Sequence, residues 1–116
     1  MVNILYHGTC RAFVELAREN GGLFGPSYDN VSFTPKHRHA RAFAEQWQTA
    51  EGRTRLEQYF GRLPVEYAEP VILEFDRTSL GTLGRRLDGD VEEFFVERGP
   101  VRLPSYDVTK SNGGKK

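Results

Sequence analysis

The chain has 116 residues, a length that suits one domain and leaves no room for two. Hydrophobic residues make up 38% of it, which is enough for a modest core and argues against a disordered chain. Sixteen Lys and Arg balance sixteen Asp and Glu, so nothing in the net charge favours wholesale nucleic-acid or membrane binding, and only a local basic patch stays open.

In chain order, residues 3–6 (Asn-Ile-Leu-Tyr) read as a short first strand. A helix follows over about 11–19, with Phe13, Leu16 and Ala17 at i, i+3 and i+4, Thr9 as its N-cap, and Gly21-Gly22 as its stop. Residues 23–29 are turn-rich, and residues 30–33 suggest a second strand. Thr34-Pro35 offers a hydroxyl cap and a first-position proline, so a helix is expected from there to about residue 49, with Ala40, Phe43, Ala44 and Trp47 on one face. A weaker helix over about 53–60 has Leu56, Tyr59 and Phe60 on its apolar side. Pro64 and Pro70 bracket a connector, and Val71-Ile72-Leu73-Glu74-Phe75 is the strongest strand. Residues 77–90 read as a loop, residues 91–96 as a strand, residues 106–109 as a last strand, and Lys110 to Lys116 as a disordered tail. Helices crowd the first half and strands the second, which predicts an α+β class with a mostly antiparallel sheet.

The lone cysteine, Cys10, excludes an internal disulfide and fits a reducing compartment. No apolar run approaches the roughly 18 residues of a membrane span, and no signal-peptide pattern opens the chain. A soluble, cytoplasmic protein is therefore expected, monomeric and without membrane association.

Three stretches carry candidate chemistry. His7 ends a strand and is followed by Gly8, which lets another group approach the backbone closely. A neutral imidazole there suits a sugar hydroxyl, and the Gly8 backbone suits a carboxamide; the plain alternative is a histidine satisfied in a turn. Ser32 shares a strand face with Thr34, and capping explains only Thr34; taken alone, Ser32 reads as a solvent-facing strand serine. Asp90, Glu92 and Glu93 place carboxylates at the start of an apolar strand, where Glu is uncommon; a solvated strand end is the alternative. His37 and His39 lie about 200° apart on a helix, and no neighbouring Cys or Asp completes a metal site, so no metal is expected. A Cys10–His7 pair has poor geometry for nucleophilic catalysis. Arg53, Arg55, Arg85 and Arg86 suit phosphate or nucleic acid, or plain solvation.

In order, these segments resemble the ADP-ribosyltransferase superfamily, in its diphtheria-toxin and poly(ADP-ribose)-polymerase branch with a His-Tyr-Glu triad. Leu5-Tyr6-His7-Gly8-Thr9 looks like the first motif. Val31-Ser32-Phe33-Thr34, followed by Ala40, Phe43 and Ala44, looks like the second. Glu93-Phe94-Phe95-Val96, with Pro100-Val101 and Tyr106 beyond, looks like the third. The resemblance runs from residue 4 to about 108 and implies a split pair of antiparallel sheets with flanking helices and an NAD cleft between them, over residues 1–109.

It further implies NAD as substrate, no metal, and transfer of ADP-ribose to a protein or nucleic-acid target with release of nicotinamide. Glu93 would stabilise the ribosyl cation, His7 would hold the adenosine ribose, Gly8 the carboxamide, and Ser32 would support Glu93 by a hydrogen bond. His7, Gly8, Thr9, Tyr28, Ser32 and Phe33 would bind NAD. The second triad position holds Ser32 in place of an aromatic, so Tyr28 or Phe33 would supply the ring against nicotinamide. Glu92 stays an alternative to Glu93. Three other readings stay open: an inactive binding or inhibitor protein of the same fold, an RNA 2′-phosphotransferase-like enzyme, and a plain α+β domain with none of this chemistry. The short build suggests, by analogy, a toxin-like effector or a phage or mobile-element protein.

Overall fold

Alternation along residues 4–10 decides how this chain begins. Leu5, His7 and Thr9 take one face of the strand, and Tyr6, Gly8 and Cys10 the other. The computed structural model describes residues 3–23, 31–97 and 100–103. In it β1 (Ile4–Cys10) pairs antiparallel with β3 (Pro70–Asp76), from Ile4 opposite Asp76 to Cys10 opposite Pro70. A second antiparallel sheet has the order β2-β5-β4, from β2 (Val31–Phe33), β5 (Val91–Val96) and β4 (Gly84–Asp88). Among the described residues one backbone bridge joins the two sheets, where Tyr6 and Thr34 exchange both hydrogen bonds at 2.8 Å. Three α-helices complete the described fold: α1 (Arg11–Asn20), α2 (His37–Glu45) and α3 (Ala50–Phe60). The class is α+β with two antiparallel sheets, as the pattern predicts. None of the helices is long and apolar enough to cross a membrane.

The main core joins both sheets to α1. Leu5, Val14, Ala17, Val31, Phe33, Leu73, Phe75 and Phe94 pack into one buried cluster. The far face of β1 packs elsewhere. Tyr6 and Ile72 meet Ala40 and Ala44 of α2, while Cys10 joins Trp47, Leu56 and Ala68. Helix α2 lies so close to β1 that a Cβ on Gly8 would sit 1.8 Å from the carbonyl oxygen of Ala40. A glycine at position 8 is thus required by packing alone. Gly52 repeats the device, with the Gln46 carbonyl 2.1 Å from where its Cβ would be.

Several boundaries differ from the sequence expectation, each for a local reason. β1 runs on through Cys10, because its pairing with β3 extends to Pro70; Cys10 takes the cap position of α1 without a side-chain bond, and Thr9 is a buried strand residue, not the cap. α2 starts at His37, two residues after Pro35, because Thr34 is held in the bridge to Tyr6; the Thr34 hydroxyl still accepts from the Lys36 amide at 3.4 Å. That helix ends at Glu45 and tightens into a 3-10 turn over Gln46–Gln48. α3 begins at Ala50, earlier than expected, since the Thr49 hydroxyl accepts from the Gly52 amide at 3.0 Å and caps it. The expected loop over 77–90 holds a 3-10 turn at Arg77–Leu80 and all of β4, closed onto β5 by a two-residue hairpin loop with Gly89 at φ 64°. Val101 makes an isolated bridge to Leu23. The strand expected at 106–109, Tyr106 and the tail lie outside the described residues.

Candidate functional site

Beside the bridge the two sheets diverge, and a cavity of about 310 Å³ opens there. That volume is at the low end for small-molecule sites. His7, Gly8 and Thr9 of β1, Ser32 and Phe33 of β2, and Glu93 of β5 all line it. Residues 86 positions apart in the chain therefore share one wall. Tyr28 lies outside the described residues.

Backbone direction decides where the polar groups of Gly8 point. Tyr6 gives both its N–H and its C=O to Thr34, on the side away from β3. Arg11 and Asn3, at odd positions, bond instead toward Glu69 and Arg77 on the β3 side. Polar backbone groups alternate sides along an antiparallel strand. Gly8 therefore turns its N–H and C=O to the same side as Tyr6, where β2 has already departed and the cavity begins.

His7 is fixed by its own bond. Its Nδ1 lies 2.7 Å from the backbone oxygen of Ser32, across the gap between the sheets. A carbonyl only accepts, so Nδ1 carries the proton and donates, and in the neutral ring Nε2 is left as an acceptor. Burial pushes the imidazole below its ordinary value, partly offset by the bond to Ser32, which favours the charged form. At neutral pH the ring is uncharged. It leans on Phe33 at 5.7 Å between centroids.

The β2-β5-β4 register sorts the carboxylates. Ser32 is opposite Phe95, Glu93 is opposite Arg86, and Gly84 is opposite Phe95, so all five share one sheet face. Glu93 lines the cavity with its side chain only 12% exposed. Glu92 points to the other face, where it pairs with Arg85. Only the first of these glutamates is in the cavity wall. In place of the direct Ser32–Glu93 bond that the resemblance implies, Arg86 links the two side chains. Arg86 Nη2 donates to Ser32 Oγ at 3.1 Å and to Glu93 Oε1 at 3.3 Å. The sequence offers Arg86 as a residue for phosphate or nucleic acid, or plain solvation, within an expected loop; the Asp88-Gly89 turn signal before an apolar strand is the clue that it sits on a hairpin.

Of the two rings the resemblance offers, only Phe33 lies among the described residues. Phe33 reaches the wall, but its ring is 2% exposed and packs edge-on against Phe75 at 5.1 Å, so it is a core residue. Among the described cavity-lining rings the exposed ones are Phe43, at 36%, and Tyr59, at 46%, and Phe13 and Trp47 also line the wall. Cys10 faces away from His7, in the second cluster, where burial pushes its thiol up. His37 packs edge-on against Tyr6 at 5.4 Å. Arg55 lies over Trp47 at 4.9 Å, and Arg53 is exposed on α3.

The arrangement offers a hydrogen-bond acceptor at His7 Nε2, a donor–acceptor pair at Gly8, a carboxylate at Glu93 and an aromatic surface at Phe43. Such a set suits a polar, ring-bearing ligand with hydroxyls and an amide. Comparison with family models, with curated proteins and with solved structures returns no match.

Proposed function

We propose that this chain is an ADP-ribosyltransferase that takes ADP-ribose from NAD and delivers it to a macromolecular acceptor. The observation that carries this reading is the convergence of His7, Gly8, Ser32 and Glu93, from three strands of two sheets, on one cavity. The finer fold assignment, a split pair of sheets of the ADP-ribosyltransferase kind, is supported by the single Tyr6–Thr34 bridge beside that cavity.

In the proposed reaction the bond between the ribose C1′ and the nicotinamide nitrogen breaks. Its electron pair goes to the pyridinium ring and neutralises it. Positive charge builds on the ribose as an oxocarbenium-like species, and an acceptor nucleophile closes on C1′ and loses its proton. Glu93 stabilises this charge and accepts a hydrogen bond from the ribose 2′-hydroxyl. His7 Nε2 accepts from a hydroxyl of the adenosine ribose. Gly8 receives the carboxamide through its C=O and N–H. Phe43 offers the stacking surface that Ser32 cannot provide at the second triad position.

The test is incubation with NAD labelled in the nicotinamide ring and, separately, in the adenosine half. Release of free nicotinamide, with adenosine label fixed on protein or nucleic acid of a cell lysate, is the expected result. Absence of turnover with every lysate fraction would leave a binding protein. Phosphate transfer from 2′-phosphorylated RNA would replace this reading with phosphotransfer.

A further inference from the structure

Arg86 has a place in this site that the sequence did not suggest. It stands on the edge strand β4, opposite Glu93 of β5. From there one nitrogen, Nη2, reaches across β5 to Ser32 on the third strand while also holding Glu93 Oε1. Such a diagonal reach over a whole strand needs clearance, because Phe95 stands between Arg86 and Ser32 on the same face.

Clearance comes from Gly84. A Cβ there would lie 2.2 Å from the tip of the Phe95 ring. The ring is thus laid outward over the glycine, and it presents its face to the guanidinium, which lies 5.0 Å from the ring centroid. Stacking fixes the plane of the guanidinium, and the two hydrogen bonds fix its end. The bond takes Glu93 Oε1 and leaves Oε2 for a ligand.

We propose that Arg86 is a positioning residue for Glu93, held by the Phe95 ring that Gly84 admits and tied to β2 through Ser32. This rests on the reading of Glu93 as the group that faces the reacting ribose. A glutamate has three side-chain torsions, and a misplaced carboxylate loses much of its effect on a nearby charge. The Arg86 side chain is 47% exposed, so solvent screens its charge at the ribose while its geometry persists. A residue with this role sets the rate of bond breaking and leaves the affinity for NAD alone.

The experiment compares wild type, Glu93→Gln, Arg86→Ala, Arg86→Lys and Gly84→Ala by nicotinamide release, resolved into kcat and KM, with NAD affinity from calorimetry. Silence of Glu93→Gln beside an active wild type establishes the parent reading separately. Given that, Arg86→Ala is expected to lower kcat about 100-fold with KM within about threefold, the signature of lost transition-state placement. Arg86→Lys is expected to regain part of the rate, and Gly84→Ala to lower kcat in the same direction by displacing Phe95. An unchanged kcat in Arg86→Ala overturns the proposal, as does a rise in KM that accounts for the whole loss, since that would make Arg86 a ligand-binding group. Circular dichroism confirms folding of each variant, and Arg86→Gln carries the test if Arg86→Ala does not fold. A wild type that releases no nicotinamide overturns the parent reading and this proposal with it.

Discussion

The Nδ1–H of His7 donates to the backbone carbonyl of Ser32 at 2.7 Å, so a side chain of one sheet is bonded to the main chain of the other. This bond sets the tautomer of His7 and holds the two first motifs in register across the cavity. Replacing His7 with Ala removes both this tie and the Nε2 acceptor. Affinity for NAD is expected to fall about tenfold, roughly one hydrogen bond's worth of net free energy, as read by calorimetry. Unchanged affinity would remove His7 from the binding site.

The lowered pKa of His7 makes stability depend on pH in a stated direction. The folded protein holds this ring neutral, while the unfolded chain protonates it at its ordinary value of 6.5. Below that value the unfolded state binds more protons, so stability falls as pH drops from 6.5 toward the folded value. Denaturant titrations across this window should show a slope in wild type that is reduced in His7→Gln.

Glu93 and Glu92 are adjacent in sequence and opposite in the sheet. Glu93→Gln is expected to cut nicotinamide release by at least about 100-fold while NAD still binds and the fold persists. Glu92→Gln should leave turnover within about twofold, because Glu92 pairs with Arg85 away from the cavity. The reverse outcome would assign the chemistry to the wrong carboxylate.

Gly8→Ala tests packing rather than chemistry. The added methyl would meet the Ala40 carbonyl at 1.8 Å, and its nearest neighbours are all helix backbone, at Ala40 and Ala44, with no flexible tip to yield. Loss of about 3 kcal/mol or more is expected by chemical denaturation. By contrast Phe43→Ala, at a half-open position, should cost little stability but weaken NAD binding about tenfold through lost stacking.

Much of the fold was legible because it follows simple periods. The strands at 71–75 and 91–96 and the stop of the first helix at Gly21-Gly22 were plain in the pattern, and so was the antiparallel class. His7 stood out as a strand-end histidine before a glycine, and the Glu92–Glu93 pair because strands are poor in Glu, while the weight on Ser32 and the choice of Glu93 came from the ordered resemblance. Helix starts were less legible. Thr9 and Thr34 carry good capping side chains, but strand pairing with Val71 and the bridge to Tyr6 claim those backbones first. Arg86 was named only as a cation for phosphate, nucleic acid or solvent, and Gly84 not at all, because their place lies in cross-strand register, and no local period in the chain reports that Gly84 faces Phe95 or that Arg86 can reach Ser32. Phe43 was read as one more core residue of a helix face, and only the position of the cavity distinguishes it from Ala40 and Ala44.

The packing of α2 on Gly8 has a consequence for how a ligand is read. Because the helix seals the strand from above, an amide can approach Gly8 only edge-on, in the plane of the sheet. It then meets a C=O and an N–H side by side, the same pair that Tyr6 presents to Thr34 two residues earlier. A primary carboxamide, with donor and acceptor side by side, completes that pattern as a one-residue surrogate strand. A carboxylate brings two acceptors and leaves the Gly8 carbonyl facing negative charge. Nicotinamide should therefore compete with NAD, and nicotinic acid, similar in shape but anionic and without the donor, should not: on this reading the ligand's carboxamide would stand as the next rung of the protein's own ladder.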